Sequence, residues 1–485
     1  MNEAHQRGAH MLGAVFKAYD IRGTHPDPLN EKLAWRIGYG TSSYLRDNAI
    51  NAGETQPMMR NVLVGRDMRT SSPELSESLA NGIVAQGGNV IDLGLVDTPF
   101  LYFAINRLDC AGGVMVTASH NPPQYNGFKI SKRRAYPVGE ATGLAEIRKR
   151  AAMADPARPG EPVGGPGRME QRDLWDAYRE HVRKFIDFDA IKARPLKIVV
   201  DASNGMAGTA APRIFGRNGA EVEGLTIREM NFDNNRGEFR HEPNPLVAAN
   251  LVDLQARVAK EEADLGVCYD GDADRCVLVD EKGGIVGCDH MTAWMAGWFL
   301  KDNPGSAVVY DLRSSKALEE TVLASGGTPV KGRVGHVFMK ALMREHDAVF
   351  GGELSGHFYF RDNFFADSGA IAMACALSFL AREGKPLSEV IAPIARYPQS
   401  GEINFEIDDK DAALEALMER YFEVGDIDEL DGVTIDSFQE HGWWANVRKS
   451  NTEPLLRLNL EAKSEAMLVR MLEDMAPLLG RRVAH

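Results

Sequence analysis

The feature that most constrains the fold is a pattern that recurs three times along the chain. Residues 62–90, 198–222 and 308–330 each begin with an apolar run ending in aspartate, pass through a Ser- or Asn-containing turn into a helical stretch, and reach glycine before a second apolar run. Ser or Asn before a helix caps its first N–H groups, and glycine after the helix supplies a left-handed C-cap. The pattern therefore predicts three α/β units built to one plan, and we favour duplication over chance reuse of common βα signals.

The segments outside the repeats predict a linker and a fourth unit. Residues 155–167 are rich in Pro and Gly, which predicts an exposed linker because such a segment cannot hold a helix or a central strand. Residues 174–186 then show helical apolar spacing. Beyond about Pro393 the repeat stops, and a smaller α+β unit is predicted, with strands at 403–407, 444–447 and 455–460 and helices at 412–421 and 465–479. The domains expected are 1–165, 166–283 and 284–394, each α/β, and 395–485, α+β.

Composition narrows the class of protein. The 485 residues carry 55 Lys+Arg against 69 Asp+Glu, a net charge of −14, which argues against nonspecific nucleic-acid binding. Five scattered cysteines without a CxxC spacing argue against a disulfide framework or a zinc site. No apolar run is long enough to span a bilayer, and residues 1–10 lack the apolar core of a signal peptide. We therefore expect a cytoplasmic protein with neither a nucleic-acid nor a membrane partner.

A candidate nucleophile stands in the segment Thr-Ala-Ser-His-Asn-Pro, residues 117–122. The segment follows the apolar run 113–116, and the prolines at its end predict a sharp turn. A serine on a turn at the end of a strand is a common place for covalent catalysis. From the residues alone, Ser119 is the candidate nucleophile and His120 a possible general base.

A second motif, Asp-Gly-Asp-Ala-Asp-Arg at residues 270–275, predicts a metal site. Its three alternating carboxylates can converge on one cation from a tight turn, and such hard oxygen ligands suit Mg²⁺. An EF-hand is excluded because Arg275 stands where the sixth position requires glycine. A solvated acidic turn is the alternative, and the apolar run 276–279 that follows favours the metal site.

Several loops carry groups suited to sugar or phosphate. In residues 351–357 a carboxylate and a hydroxyl, Glu353 and Ser355, would project to one side of an extended segment and suit vicinal sugar hydroxyls, although a simple hairpin turn would look similar. Residues 448–454 combine arginine with short polar donors, which is typical of a phosphate cradle and also of a generic polar turn. Glycine-bounded turns at 17–23 and 332–336 add further basic groups.

Together these motifs resemble the α-D-phosphohexomutase superfamily, most closely its bacterial phosphomannomutase/phosphoglucomutase group. The resemblance covers nearly the whole chain and rests on five motifs in order, at residues 17–23, 117–122, 270–275, 352–357 and 448–452. It implies an α/β protein of four domains around a central cleft, three similar α/β domains and a smaller α+β C-terminal domain. The three repeats and the smaller unit predicted beyond Pro393 together lead to the same number of domains.

The resemblance also implies roles for individual residues. Ser119 resembles the serine that is phosphorylated in the resting enzyme, and its phosphate would complete a Mg²⁺ site. Lys129 resembles a catalytic-loop lysine near the transferring phosphate, and His120 becomes a phosphate contact, so that proton transfer passes to Lys129 and His336. The metal ligands implied are Ser119, Asp270, Asp272 and Asp274; the catalytic residues are Ser119, His120, Lys129, Arg22 and His336; the substrate-binding residues are Tyr19, Arg275, Arg313, Glu353, Ser355, Arg448, Ser450, Asn451 and Thr452.

The activity implied is interconversion of hexose 1-phosphate and hexose 6-phosphate, with mannose and/or glucose as the sugar. It would proceed through a phosphoserine enzyme and a bisphosphorylated sugar, with Mg²⁺ as cofactor and glucose 1,6-bisphosphate or mannose 1,6-bisphosphate as activator. The partners expected are small-molecule sugar phosphates, and the protein is expected to be a monomer or a small homo-oligomer.

Three alternatives stay open. Phosphoglucosamine mutase is the nearest, because the sugar-reading residues contact hydroxyls that several hexoses share. A Mg²⁺-dependent phosphatase would need an aspartyl nucleophile near the first strand, whereas these carboxylates lie in the middle of the chain. A non-catalytic sugar-phosphate binder would be expected to lose the nucleophile or a metal ligand, and this chain keeps both.

Overall fold

The structure is a computed structural model that describes residues 11–53, 58–216, 220–450 and 455–483. By its internal contacts the chain divides into two units. The first comprises Met1–Val286 and Ser355–Ser388, and the second comprises Gly287–Leu354 and Glu389–His485.

The first α/β domain is a six-stranded sheet in the order β1-β5-β4-β2-β3-β6. Strand β2 runs parallel to β3 and β4, whereas β5 is antiparallel to β1 and β4. Its elements are β1 (Ile21–Thr24), α1 (Glu31–Asn51), β2 (Asn61–Arg66), α2 (Ser72–Gln86), β3 (Asn89–Leu95), α3 (Thr98–Arg107), β4 (Gly112–Val116), β5 (Tyr125–Lys132), α4 (Leu144–Met153) and β6 (Met169–Gln171). The central strands β2 and β4 are nearly continuous apolar runs because helices cover both faces of a parallel sheet.

The Pro- and Gly-rich segment, residues 155–167, forms neither helix nor strand and is mostly exposed, as its composition predicts. It is nevertheless fixed to the first domain. Arg60 donates hydrogen bonds to the carbonyls of Gly164 and Gly165, at 2.7 and 2.8 Å. The segment therefore follows a defined path along the edge of this domain.

The second α/β domain has a four-stranded sheet in the order β10-β9-β7-β8. Its elements are α5 (Trp175–Arg183), α6 (Phe188–Ala193), β7 (Leu196–Asp201), α7 (Ala207–Ala211), β8 (Leu225–Met230), α8 (Val252–Glu261), β9 (Leu265–Tyr269) and β10 (Cys276–Asp280). The repeat pattern predicts a strand at 220–222, and that prediction is wrong. Those residues lead into a turn in which Leu225 N donates to Val222 O at 3.0 Å, and Gly224 supplies the φ of +88°.

The third α/β segment contains the last copy of the repeat. Strand β11 runs parallel to β12 and β13, and β14 pairs antiparallel with β15. The elements are α9 (Cys288–Asp302), β11 (Ala307–Asp311), α10 (Lys316–Ala324), β12 (Thr328–Gly332), α11 (His336–Glu345), β13 (Phe350–Gly352), β14 (Phe358–Phe360), β15 (Ala366–Asp367), α12 (Gly369–Glu383) and α13 (Leu387–Ile391). This copy matches the predicted strand–helix–strand order closely.

The C-terminal domain is the smaller α+β unit that the sequence predicts. Its sheet has the order β17-β18-β19-β20-β16-β21, and every pairing is antiparallel. The elements are β16 (Gln399–Glu406), α14 (Lys410–Tyr421), β17 (Asp426–Asp428), β18 (Val433–Ser437), β19 (Trp443–Lys449), β20 (Leu456–Ala462), α15 (Glu465–Leu479) and β21 (Arg481–Val483). The helix predicted at 465–479 is α15, and a short strand that the sequence does not predict follows it and pairs with β16.

All five cysteines are buried free thiols. None of the helices in the described part of the chain has the length and apolar character that crossing a bilayer requires.

Candidate active site

Ser119 lies in a strained turn directly after β4. Its φ is +51°, in the left-handed region that non-glycine residues seldom adopt. Thr117 Oγ1 accepts a hydrogen bond from Ser119 N at 2.9 Å, and Asn121 N donates to Ala118 O at 3.0 Å. Strained backbone of this kind concentrates at functional sites, where surrounding contacts hold it in place.

The aspartate loop that connects β9 to β10 lies against the serine turn. Ser119 Oγ donates to Asp270 Oδ2 at 3.0 Å. Gly271 is required for this approach, because a Cβ added there would lie 2.3 Å from Ser119 O. The α/β repeats therefore bring two distant motifs into direct contact.

The three carboxylates of this loop form a buried cluster. Asp270, Asp272 and Asp274 are each at most 2% exposed, and one oxygen from each lies within 4.8 Å of the others. Asp272 Oδ1 is buried with no hydrogen-bond partner among the described residues. A buried carboxylate oxygen without a partner is costly, and a divalent cation that prefers oxygen ligands would satisfy it. The donor set therefore fits a metal of the Mg²⁺ type.

Lys129 places a positive charge on the same cluster. It lies on β5, and its Nζ is 2.7 Å from Asp272 Oδ2 and 2.6 Å from Asp274 Oδ2. Burial alone would lower the pKa of Lys129, but the neighbouring aspartates outweigh burial and raise it. Lys129 is thus an ammonium donor as placed here, and its role in accepting a proton stays a prediction.

Burial and neighbouring charges shift the pKa values of two of the aspartates and of His120. Burial and the two neighbouring carboxylates raise the pKa of Asp270 well above its usual range. For Asp274, burial acts in the same direction, but Lys129 and His357 hold its pKa well below the usual range. Burial and three nearby cations lower the pKa of His120, whose Nδ1 lies 3.4 Å from Ser119 Oγ. At neutral pH His120 is therefore an uncharged imidazole beside the nucleophile.

Further cationic side chains surround the serine turn. The Arg22 guanidinium, on β1, contacts Asp20 and Asn121 Oδ1. Arg275 Nε lies 3.7 Å from Asp270 Oδ2 and 3.3 Å from His357 Nε2. Tyr19 lies in the bend that precedes β1. The surroundings of Ser119 are therefore rich in positive charge, which a transferred phosphoryl group requires.

The segment predicted to read sugar hydroxyls is a turn rather than an extended strand at residues 354–356. In the second unit, Glu353 is 2% exposed and its Oε1 accepts from Gly335 N at 3.0 Å, directly before His336 at the start of α11. In the first unit, Ser355 Oγ lies 3.0 Å from His357 Nδ1. Each of the two predicted readers is thus held by a specific neighbour within its own unit.

The second unit contains a cluster of arginines that share one carboxylate. Glu402 lies 2.8 Å from Arg448 Nη2, 2.8 Å from Arg457 Nη1 and 3.4 Å from Arg313 Nη1. Arg313 also forms two hydrogen bonds with Asp311, at 2.9 and 3.0 Å, and Asp311 Oδ2 accepts from Leu354 N at 2.7 Å. Two residues predicted to bind substrate, Arg313 and Arg448, are therefore brought together.

The predicted phosphate loop follows β19. Arg448 lies within that strand, and Ser450 N donates to Leu455 O at 2.9 Å, which closes the loop. Asn451 and Thr452 lie outside the described residues.

Sequence reasoning missed several residues that support the site, including Arg69, Thr98 and Glu402. Thr98 Oγ1 donates to Asp272 Oδ2 at 2.5 Å, and Thr98 N donates to Asp272 O at 3.1 Å. Thr98 follows Asp97 at a clear helix N-cap, which is a local signal, but nothing local indicates its distant partner.

The sequence matches four family models, described as phosphoglucomutase/phosphomannomutase alpha/beta/alpha domains I, II and III and the C-terminal domain. They cover residues 13–158, 176–284, 288–397 and 402–478. The chain belongs to the phosphoglucomutase/phosphomannomutase family. The predicted superfamily, the fold of three α/β domains with a smaller C-terminal domain, and an enzyme of the mutase class are thereby confirmed.

Individual relatives align over almost the full length. The chain is 40% identical over 465 residues to a protein of Xanthomonas campestris pv. campestris named "Phosphohexose mutases", covering 94% of this chain and 96% of the relative. It is 37% identical to the phosphomannomutase of Escherichia coli K12, with the same shares covered. A solved phosphoglucomutase/phosphomannomutase family protein from Burkholderia thailandensis has a TM-score of 0.84 at 33% identity, covering 96% of this chain and 97% of that one.

Proposed function

We propose that this chain interconverts hexose 1-phosphates and hexose 6-phosphates, with mannose and/or glucose as the sugar and Ser119 as the phosphoryl carrier. The observation that carries the proposal is the 3.0 Å contact of Ser119 Oγ with Asp270 Oδ2, at the edge of a buried cluster of three carboxylates. A serine hydroxyl beside a carboxylate cluster that fits a divalent cation suits phosphoryl transfer.

The reaction requires two transfers of opposite direction. In the first, the phosphorus–oxygen bond to Ser119 breaks as a bond forms to the free hydroxyl of the sugar phosphate, and that hydroxyl loses its proton. In the second, Ser119 Oγ regains a phosphoryl group from the other end of the bisphosphorylated sugar, and the departing sugar oxygen takes up a proton. The sugar must turn over between the two transfers without leaving the site.

The side chains around Ser119 have separate roles in this scheme. Lys129 and Arg22 supply positive charge beside the transferred group, and the neutral imidazole of His120 contacts it. Arg275 acts with them because it contacts both Asp270 and His357. The proton shuttle is assigned to Lys129 and His336, of which Lys129 must first release Asp272 and Asp274.

The remaining site residues are assigned to binding the sugar phosphate. Glu353 and Ser355 bind sugar hydroxyls: in either orientation of the sugar the Glu353 carboxylate can accept hydrogen bonds, and the Ser355 hydroxyl can accept or donate. The phosphate that is not transferred is bound by the guanidinium forks and short donors of the C-terminal domain. The residues assigned to substrate binding are Tyr19, Arg275, Arg313, Glu353, Ser355, Arg448, Ser450, Asn451 and Thr452.

We assign Mg²⁺ to Asp270, Asp272 and Asp274, with an oxygen of phosphorylated Ser119 completing the ligand set. Once bound, the ion would neutralise part of the negative charge on the transferred phosphoryl group. Glucose 1,6-bisphosphate or mannose 1,6-bisphosphate would serve as activator, because the enzyme needs an initial phosphoryl donor. The relatives named phosphomannomutase favour mannose over glucosamine as the sugar, and the matching family description, phosphoglucomutase/phosphomannomutase, adds glucose.

Turnover assays test the proposal directly. Purified protein with Mg²⁺ and a trace of glucose 1,6-bisphosphate is expected to convert mannose 1-phosphate to mannose 6-phosphate, and glucosamine 1-phosphate should react more slowly. Release of inorganic phosphate without isomerisation would instead indicate a phosphatase. Absence of turnover with mannose and glucose phosphates would refute the proposed function.

A further inference from the structure

Arg69 is a fully buried arginine whose side chain donates four of its five N–H groups to the loop that carries Ser119. It lies between β2 and α2, and its side chain has 0% exposure. Its two Nη atoms donate to four backbone carbonyls of the serine turn, those of Ser119, Asn121, Pro122 and Tyr125, at 2.9, 2.7, 2.7 and 2.9 Å. Its Nε donates to Asp67 Oδ2 at 3.1 Å. All five donors are therefore satisfied, and four of them hold the loop that carries the nucleophile.

The groups behind Arg69 fix the guanidinium in this orientation. Asp67 is itself buried and accepts from Ser72 Oγ at 2.5 Å and from Arg69 N at 3.1 Å. Asn126 Nδ2 donates to Ser72 Oγ at 3.0 Å, which ties the far end of the turn to the same network. A buried charge is costly unless it is paired and hydrogen-bonded, and Asp67 provides the pairing.

A loop of the second α/β domain covers the other face of Arg69. The Phe239 ring lies with its centroid 5.2 Å from Arg69 Cζ, within cation–π range. Gly237 of the same loop lies so close to the neighbouring backbone that an added Cβ would be 2.8 Å from Thr70 N. The guanidinium is thus enclosed between the serine turn and Phe239.

We propose that Arg69 is a positioning residue that holds the backbone of residues 119–125 in the strained conformation that presents Ser119 Oγ to Asp270. The inference rests on the proposed function, because it assigns Arg69 to the phosphoryl-transfer step. Arg69 contacts backbone oxygens of the turn and no group assigned to sugar binding, so its removal affects kcat rather than KM. The left-handed φ of Ser119 needs such external support, because it is unfavourable for a residue with a side chain.

Lysine cannot replace arginine in this role. Arginine presents five donors in a rigid planar fork, whereas lysine offers three donors at one point. In an R69K variant at least one of the four loop carbonyls would lose its donor, and at least two would if the ammonium group keeps its hydrogen bond to Asp67, although the positive charge would remain. The proposed role of Arg69 therefore depends on the number and geometry of its donors as well as on its charge. The R69K variant tests this, because it keeps the charge and removes donors.

The test compares R69K with R60K by steady-state kinetics and by hydrogen exchange. Arg60 is a matched control, because it also donates to backbone carbonyls of a loop in the first domain, but of the segment 155–167. We expect R69K to lower kcat on the order of 10–100-fold with KM within about twofold of wild type, since small misplacement of a nucleophile has effects of this size. R60K should change neither constant. Amides of residues 117–127 should exchange at least several-fold faster in R69K and not in R60K.

The outcomes separate this inference from the proposed function. Wild-type turnover together with an R69K kcat within about twofold of wild type would overturn the role of Arg69 and leave the proposed function intact. Unchanged hydrogen exchange at residues 117–127 would overturn it without reference to turnover. If R69K fails to fold, F239L serves instead: a fall of kcat by about two- to fivefold at constant KM is expected, and an unchanged kcat with unchanged exchange would contradict the inference.

Discussion

Ser119 Oγ lies 3.0 Å from Asp270 Oδ2, although 151 residues separate the two in the chain. The contact joins the end of β4 in the first α/β domain to the turn after β9 in the second. Each residue lies where a buried strand ends, which is where polar groups can gather without interrupting a core. The candidate site therefore forms where loops of the first two α/β domains meet.

Thr98 is expected to set the affinity of the aspartate loop for its metal. Its hydroxyl donates to Asp272 Oδ2 at 2.5 Å, and such a partner orients a ligand carboxylate. A T98V variant should raise the Mg²⁺ concentration needed for half-maximal thermal stabilisation by about tenfold or more. Titration of Mg²⁺ against the melting temperature measures this.

The T98S variant is the control for that prediction, because serine keeps the hydroxyl and the donor. It should titrate with Mg²⁺ as the wild type does. If T98V also matches the wild type, the hydroxyl has no part in orienting Asp272.

Asp97 is expected to make the protein less stable as pH rises towards neutrality. Burial raises the pKa of Asp97 to about 7, although hydrogen bonds from Phe100 N and Tyr178 act in the opposite direction. The unfolded pKa is about 3.9. Between these two pKa values the folded protein holds a proton on Asp97 that the unfolded chain releases. The free energy of unfolding therefore falls as pH rises from about 3.9 to about 7, and the full destabilisation applies above pH 7.

A D97N variant should remove this cost and still cap α3, because asparagine is also a good N-cap. Urea unfolding in EDTA is expected to show D97N more stable than wild type by about 4 kcal/mol at pH 8, because the two pKa values differ by about three, and equal to it near pH 4. A stability difference that is the same at both pH values would contradict the raised pKa.

Glu402 is expected to stabilise the arginine cluster of the second unit. Burial alone would raise its pKa, but Arg313, Arg448 and Arg457 outweigh burial and lower it. A carboxyl group whose pKa is lowered in the folded protein stabilises the fold at pH values above its pKa in the unfolded chain, about 4.3. That stabilisation is lost as pH falls through the pKa of the group in the folded protein. E402Q should therefore lower the free energy of unfolding at pH 7 by about 2 kcal/mol, since three guanidinium groups lose their shared partner.

Glu406 provides a matched control for Glu402 on the same strand. It is exposed and contacts Arg481 at the surface, so E406Q should change the free energy of unfolding by less than about 0.5 kcal/mol. Urea unfolding of both variants at pH 7 and pH 4 gives the comparison. A loss in E402Q that does not decrease as pH falls below about 4.3, towards the lowered pKa of Glu402 in the folded protein, would show that the charge of Glu402 is not its cause.

The strands and helices of the repeats could be predicted because their signals are local. Strands β2, β7 and β11 are short apolar runs buried on both faces. The helices between the strands could be placed because serine and asparagine are typical before a helix and glycine is typical after it. The strand expected at 220–222 could not be placed, because β8 is a half-exposed edge strand without a distinctive apolar run. Strand β21 is only three residues long and depends on pairing with β16.

The motif residues of the candidate site were identifiable from the sequence, whereas their supporting residues were not. Ser119 and the three aspartates stand in compact motifs with a clear chemical character. Most partners of Arg69 and Glu402 lie 46 to 56 residues away along the chain. No periodic pattern in the sequence marks such pairs. Only the folded chain shows which carbonyls or guanidinium groups each of them meets.

The intact mass of the protein after incubation with glucose 1,6-bisphosphate and Mg²⁺ tests the central claim most directly. The wild type should gain the mass of one phosphoryl group, and S119A should gain none. S203A is the control, because Ser203 is another buried serine in a turn at the end of a strand and has a similar φ of +50°; it should be phosphorylated as the wild type is. A phosphoryl group that still appears on S119A, or a wild type that takes up none, would contradict the assignment of Ser119 as the phosphoryl carrier.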